Sequence, residues 1–495
     1  MAERYDLIVR NAVVVDGTRA PRYEADVGVR GERIATIGNL KNQKAKTEID
    51  AGGKVLSPGF IDAHTHDDRL MLSAPEMTPK ASQGVTTVVA GNCGISLAPL
   101  VLGKRTAPPP LDLLGDGDWY RFGSFSEYVK TLEDNPAATN AALLVGHTTL
   151  RVSTMRQLDA PASAGEIVSM TKLVQEALDA GAIGVSTGLY YEPARAATTE
   201  EVIEVCRPLS AVEALYCTHM RDEGDKVTES LEETFRIGKE LQVPVVVSHH
   251  KVVGTPNHGR SKETLPLIAA RMASQRIGLD CYPYCASSTV LSWQRTWVAM
   301  KVLVTWSKPH PEFNGMDLDE VAAKMGLDKE KAVARLLPAG AIYFSMDEAD
   351  VQRVLAFEHT MVGSDGLPHD AAPHPRLWGT FPRVLGHYSR GLGLFPLETA
   401  VHKMTGLTAA TFGLKDRGVL KEGAYADLCL FDAATVDEAA TFARPMQPAR
   451  GIEAVIVNGT ITWRDGKPSG ARPGRVLRRH YSAVGNIGDG RGAEE

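Results

Sequence analysis

The sequence predicts an α/β protein: a TIM-like (β/α)8 barrel with a small β-sandwich domain formed from both chain ends. Three observations point there. Short strand-like segments separated by tight-turn residues open the chain and return near its end. Between them, apolar strands alternate with amphipathic helices, the rhythm of a parallel sheet. Polar residues recur at the C-terminal ends of those strands, where barrels of this kind place their chemistry.

The first strands are expected at residues 7–15, 25–29 and 33–37. Asp16-Gly17 and Arg30-Gly31-Glu32 supply turn chemistry between them, as paired antiparallel strands require. Near the other end, Gly423-Ala424-Tyr425-Ala426-Asp427 leads into an apolar run at 428–431, and residues 455–460 read as a hairpin around Asn458-Gly459. Residues 1–58 and 415–480 are therefore assigned to the small domain and 59–414 to the barrel. Inside the barrel region, Ser163 and Glu166 form a capping box. Ile167, Met170, Val174 and Leu178 follow at helical spacing, before a strand at 183–186. Leu231, Phe235, Gly238 and Leu241 mark a second helix, followed at once by a strand at 243–247. No Gly-x-Gly-x-x-Gly turn follows a first strand, which weighs against a doubly wound dinucleotide fold. From 287 to 341 the rhythm breaks into a stretch holding Trp293, Trp297 and Trp306. An insertion after a barrel strand lies at the catalytic face, so this one is read as a substrate lid. The Arg- and Gly-rich chain after Arg472 is expected to be loosely ordered, with 481–495 a flexible tail.

With 495 residues, 43% hydrophobic and 23% charged, the chain can bury one large core and that of an accessory domain. A net charge of −6 without a long basic run excludes a nucleic-acid partner from the expectations. No stretch approaches the roughly 18 apolar residues of a membrane helix. The start, Met1-Ala2-Glu3-Arg4-Tyr5-Asp6, lacks the basic and then apolar regions of a secretory signal. Six cysteines are too sparse for a disulfide scaffold and suit a reducing cytoplasm, where a thiol can ligate metal. The expected location is cytoplasmic.

The strongest local signal is Phe60-Ile61-Asp62-Ala63-His64-Thr65-His66. Strand side chains alternate, so two histidines one residue apart point to the same side and can reach one metal ion. Three more polar residues end apolar runs: His219 after 214–216, His249 after 245–248, and Asp365 after 361–364. His250 rivals His249, because a strand that starts one residue later exchanges their faces. His147, His369 and His374 lack such a setting and read as structural or surface residues.

The His64/His66 pair, His219, His249 and Asp365 resemble the metal-binding set of the amidohydrolase superfamily. The segment Gly418-x-Leu420-x-x-Gly423-x-x-Ala426-Asp427 resembles that superfamily's return into its β domain. Within it, the chain is similar to the D-aminoacylases from Asp6 to about Arg478. The similarity is carried by Gly91-Asn92-Cys93-Gly94, His219-Met220-Arg221-Asp222-Glu223-Gly224, Ser248-His249-His250-Lys251, Gly363-Ser364-Asp365-Gly366-Leu367-Pro368 and residues 373–381. Many members of the superfamily bridge two metals with a carboxylated lysine on the fourth strand, yet residues 183–191 contain no lysine. The resemblance puts Cys93 in that role. It implies a tight Zn2+ held by Cys93, His219 and His249, with a second, weaker site from His64, His66, Cys93 and Asp365.

The same resemblance implies hydrolysis of N-acyl-D-amino acids to a carboxylate and a free D-amino acid. Asp365 would act as general base and then acid. Lys251, Tyr282, Ser288 and Arg376 would face the substrate α-carboxylate, with Tyr191 nearby and Trp297 in the side-chain pocket. Residues 290–302 are largely apolar, with Arg295 and Lys301 as cations, which favours neutral or hydrophobic substrate side chains. The alternatives are an N-acyl-D-glutamate or D-aspartate deacylase and a cyclic-amide hydrolase of the dihydropyrimidinase kind. A non-catalytic scaffold would be expected to have shed ligands, and this chain keeps them all.

Overall fold

The computed structural model describes residues 5–479. The chain enters through β1 (Tyr5–Val14), β2 (Tyr23–Arg30) and β3 (Arg33–Gly38), an antiparallel set. β4 (Ala45–Asp50) and β5 (Val55–Pro58) then lie parallel to β1. The period-two alternation of Leu7 and Val9 on β1 and of Val27 and Val29 on β2 sends these side chains to one apolar core.

The barrel begins with β6 (Phe60–Asp62) and β7 (Val85–Ala90). A short excursion, β8 (Leu100–Val101) with β9 (Arg121–Phe122), precedes β10 (Asn140–Gly146). β11 (Gly184–Gly188), β12 (Leu215–His219), β13 (Val245–Val247) and β14 (Ile277–Cys281) follow, each parallel to its neighbour. The chain then leaves the barrel for an antiparallel three-stranded sheet, β15 (Ala286–Val290), β16 (Lys301–Ser307) and β17 (Ala339–Phe344). It returns as β18 (Thr360–Val362), parallel to β14. The Ala63 amide donates to the Val362 carbonyl at 3.2 Å and the Asp365 amide to the His64 carbonyl at 2.8 Å, which close β18 onto β6. Ile61, Val89, Leu144, Leu215, Val246 and Met361 pack together from six of the eight barrel strands. Strands covered on both faces need apolar residues at consecutive positions, as at 88–90 of β7 and 141–145 of β10.

The insertion breaks the βα rhythm because it is a folded unit with its own core. Val302, Val304 and Ala341 of its sheet pack against Leu318, Val333 and Leu336 from helices Leu318–Met325 and Lys329–Leu336. The capping box is present: the Glu166 amide donates to Ser163 Oγ at 3.4 Å and the Ser163 amide to Glu166 Oε2 at 2.8 Å. Such a cap contributes about 1 kcal/mol to the helix Ala164–Asp179.

β19 (Leu428–Phe431), β20 (Ile452–Val457), β21 (Thr460–Arg464) and β22 (Lys467–Pro468) complete the first sheet, with β19 pairing to β5. Strands from both chain ends thus form one nine-stranded sheet, and Leu7, Val29, Leu430 and Ile456 share its core. The hairpin turn Asn458-Gly459 has φ of 48° and 78°, the conformation of a two-residue type I′ connection. The segment after Arg472 departs from the expected looseness. β23 (Val476–Leu477) pairs with β10, and Leu477 packs into the barrel core. Composition misleads there because ladder hydrogen bonds and one buried leucine outweigh the flanking arginines and glycine. The expected tail at 481–495 lies outside the described residues. Among the described residues, no helix is long and apolar enough to cross a membrane.

Candidate active site

Every expected metal ligand sits beyond or at the C-terminal end of a barrel strand. His64 and His66 follow β6, Cys93 follows β7, His219 ends β12, His249 follows β13, and Asp365 follows β18. Cys93, His249 and Asp365 have φ of 54°, 36° and 50°. A left-handed conformation is unfavourable for non-glycine residues, and its use at three of the ligands re-aims their side chains toward the barrel axis. At Gly91 a Cβ would lie 2.0 Å from the Leu144 carbonyl oxygen, so only glycine lets the Cys93 turn pack against β10.

The donors converge. Cys93 Sγ lies 3.3 Å from both His64 Nε2 and His249 Nε2. Asp365 Oδ1 lies 3.6 Å from His64 Nε2 and 3.2 Å from His66 Nε2. His64, Cys93, His249 and Asp365 present ligand atoms that all lie within 4.8 Å of one another. His219 joins a second group, with Glu223 and His249, so His249 belongs to both. The rings of His219 and His249 stand edge to face at 4.5 Å. The choice between His249 and His250 falls to His249. The Asp280 carboxylate accepts the His249 amide at 3.0 Å, and His250 instead turns away to Thr264 Oγ1 at 2.9 Å.

Burial alone raises the pKa of a thiol, as it does for Cys206, which is pushed up to about 12. It also raises that of Cys93, but the His64 and His249 charges overcome it and pull this thiol well below its usual range. Asp365 is likewise raised by burial and pulled well below the carboxylate range, by Arg376 first and then His249. A thiolate, clustered imidazoles and a carboxylate are the donor set zinc takes. His219 is buried with neither ring nitrogen hydrogen-bonded, which also fits a metal ligand.

Around the cluster, Arg376 is fully buried. Its Nη2 lies 2.9 Å from Asp365 Oδ2 in an ion pair and donates to the Ser288 carbonyl at 3.1 Å. Its guanidinium lies 4.4 Å from the Tyr282 ring centroid, while Nε and Nη1 have no partner. The Ser288 and Tyr282 hydroxyls are also buried without partners. The Tyr191 ring packs 5.0 Å from His219, and its hydroxyl reaches Thr289 Oγ1 at 3.0 Å. Lys251 Nζ lies 2.7 Å from both Glu223 Oε1 and His249 Nδ1. Trp297 does not join this set. It stands at the end of the single-turn helix Trp293–Thr296, 67% exposed, edge-on to Trp293 at 6.1 Å. Its neighbours Arg295 and Val298, with Tyr190, Glu223 and Tyr343, line a cleft that Trp297 does not line. His147 and His374 are buried, His374 accepting the Arg376 amide at 3.0 Å.

Three residues without an assigned role in the sequence reading support the site. Glu223 faces His249 Nδ1 at 3.1 Å and pairs with Lys251, and its position four residues after His219 was the available signal. Asp280, a charged residue within an apolar strand, lies 3.5 Å from His64 Nδ1. Lys80 is 0% exposed and donates to Asp62 at 2.9 Å and to Ser364 Oγ at 2.8 Å, with Asp67 at 3.3 Å. Asp62 in turn accepts the Ser364 amide at 2.7 Å, fixing the residue before Asp365. Lys80→Met is expected to destabilise the fold by about 3–5 kcal/mol, since it leaves two buried carboxylates without their cation. A thermal melt with an unchanged midpoint would show that Lys80 is not their counter-charge.

A closed parallel barrel with Cys, His and Asp donors gathered at its C-terminal face is the architecture of a metal-dependent hydrolase, and the chain belongs to the amidohydrolase family, whose profile matches residues 47–326 and 321–463. It is 59% identical to a D-aminoacylase of Alcaligenes xylosoxydans xylosoxydans, over 97% of this chain and 98% of that protein. A solved D-aminoacylase, described as having a binuclear metal centre with one-metal activation and second-metal attenuation, superposes with a TM-score of 0.93 at 59% identity, over 96% of this chain and 100% of that one. The N-acyl-D-glutamate deacylase of Bordetella bronchiseptica, solved with zinc and a phosphonate mimic of the tetrahedral intermediate, superposes with a TM-score of 0.93 at 45% identity, over 96% and 100%.

Proposed function

We propose that this protein is a zinc-dependent deacylase of N-acyl-D-amino acids, favouring neutral or hydrophobic side chains and working in the cytoplasm. The observation that carries the reading is the Asp365–Arg376 pair beside the thiol–imidazole cluster. It offers an ionised base next to a guanidinium with two nitrogens unengaged. The D-configuration rests on the likeness to the D-aminoacylase. Cys93, His219 and His249 would hold one zinc tightly, and His64, His66, Cys93 and Asp365 a second more weakly. When bound, zinc supplies Lewis-acid polarisation of the amide carbonyl and lowers the pKa of water toward about 7.

The chain's own residues do the rest. Arg376, with Lys251, Tyr282 and Ser288, takes the substrate α-carboxylate, a planar fork matching a planar anion. Asp365, kept ionised by Arg376, accepts a proton from the attacking water on a carboxylate oxygen and returns it to the leaving amine nitrogen. We divide the chain into the small β domain at 1–58 and 415–480 and the catalytic barrel at 59–414, with 287–341 as substrate lid. In support of the lid, the Ser288 carbonyl holds Arg376 and Thr289 holds Tyr191. Six free cysteines, none in a disulfide, suit the cytoplasm.

One observation favours an acidic substrate side chain instead. Arg295 lies beside Tyr190 at 4.0 Å, with no ion-pair partner among the described residues. The other cation of that segment, Lys301, is already near Asp317 at 3.6 Å. A kinetic panel of N-acetyl-D- and L-amino acids at fixed zinc decides between the readings. N-acetyl-D-methionine, D-leucine or D-phenylalanine is expected to exceed N-acetyl-D-glutamate in kcat/KM, with the L-series and hydantoin near background. A best rate on N-acetyl-D-glutamate or D-aspartate would transfer the side-chain role to Arg295. Turnover of hydantoin alone would make this a cyclic-amide hydrolase.

Arg376→Ala is expected to raise KM, because the α-carboxylate loses its fork. It should also lower kcat, because Asp365 loses its ion-pair partner. Equal losses on an acyl amide without any carboxylate would remove Arg376 from substrate binding.

A further inference from the structure

A cleft of about 300 Å³ lies between the segment that follows β8, the β15–β17 insertion and the loop beyond Asp365. None of the clustered donors and none of the residues assigned to the α-carboxylate line it. Its charges do not cancel internally. Asp116 and Lys308 pair at 3.0 Å. Asp370, only 6% exposed, keeps Oδ2 without a hydrogen-bond partner, and Asp112 keeps Oδ1 in the same condition. Arg69 rests its guanidinium against Trp119 at 4.4 Å and donates Nη1 to the Leu114 carbonyl at 3.3 Å, while its Nε has no partner. His369 adds no charge, since burial and then Arg69 push it down to about 3. Leu113 and Trp306 supply apolar wall.

Two carboxylates and one guanidinium edge thus share a cavity at the small end of the range for ligand sites. Burial lifts both carboxyl groups to about 7, and at Asp370 it does so against the opposing pull of Thr305, Arg376 and Trp306. We propose that this cleft binds a free α-amino acid as its zwitterion, with the ammonium on Asp112 and Asp370, the carboxylate on Arg69 and the side chain against Leu113 and Trp306. N-acylation removes the ammonium and would leave both carboxylates unpaired, so the site discriminates a free amino acid from its acylated form. The proposed deacylation matters here only as a source of free amino acid, because binding requires no turnover.

Calorimetric titration of the full-length zinc enzyme with D-leucine tests this. Two sites per chain are expected, one at the metal centre and one in the cleft. Asp112→Asn and Arg69→Gln should each weaken one site at least tenfold, with zinc content and initial-rate kcat unchanged. At that same site, 3-methylbutylamine and 4-methylpentanoate, which lack the carboxylate and the ammonium respectively, should bind at least tenfold more weakly than D-leucine. If either variant fails to fold, a crystal soaked in D-leucine should show the amino acid in the cleft. A single site in the wild type, unchanged binding in folded variants, equal binding of either analogue, or an empty cleft after soaking would overturn the proposal. Failure of the deacylase reading would appear separately, in the kinetic panel.

Discussion

Replacing Cys93 with alanine is expected to abolish tight zinc and, with it, activity. Its Sγ stands 3.3 Å from both His64 and His249, so it serves both halves of the cluster and no neighbouring side chain duplicates it. A catalytic site built on three protein ligands keeps an open position for water, and losing one ligand cripples both affinity and chemistry. Wild-type protein should retain about one zinc per chain through extensive dialysis, and the variant close to none, by elemental analysis beside an initial-rate assay. His219→Ala and His249→Ala should behave alike. His250→Ala should keep most of its zinc, because its ring is committed to Thr264. A Cys93→Ala protein with full zinc and full activity would return this residue to the class of Cys206 and Cys217, small buried thiols that pack and do nothing else.

Asp365→Ala is expected to separate chemistry from metal binding. The variant should keep its tight zinc and lose at least about a hundredfold in kcat, the scale of a missing general base. Asp365→Asn should do the same, because it preserves shape while removing the proton acceptor. Substrate affinity should survive in both, since the fork of Arg376 remains and is freed from its partner. Near-normal kcat in either variant would make Asp365 a structural anchor for Arg376.

Much of this site was legible in the sequence because its signals are local. His64 and His66 follow an apolar strand at alternate positions, and His219, His249 and Asp365 each end an apolar run, so the rule that barrel chemistry sits at strand ends finds them. Glu223 carries one local signal, its position four residues after His219, but nothing beside Asp280 or Lys80 in the chain reveals what they face. Lys80 meets Ser364 across the barrel seam, a contact that exists only once β18 has closed on β6. Trp297, placed in the side-chain pocket by the resemblance, stands 67% exposed after a single helical turn, a setting that its apolar neighbours in the chain do not reveal.

The sequence by itself determined the alternation of strand and helix, the sheet strands at both chain ends, the capping of the helix from Ala164, and which residue types stand at which strand ends. These follow from periodicity and short-range turn chemistry, which act over a few residues. Only the tertiary structure decided that His249 faces the cluster rather than His250, that Arg376 clasps Asp365, that Asp280 backs His64, and that the residues after Arg472 add a strand to β10. Each of these depends on groups distant in sequence meeting in a water-poor interior. There an unpaired charge or amide is costly, and so the choice of partner, which no local pattern encodes, fixes the geometry of the site.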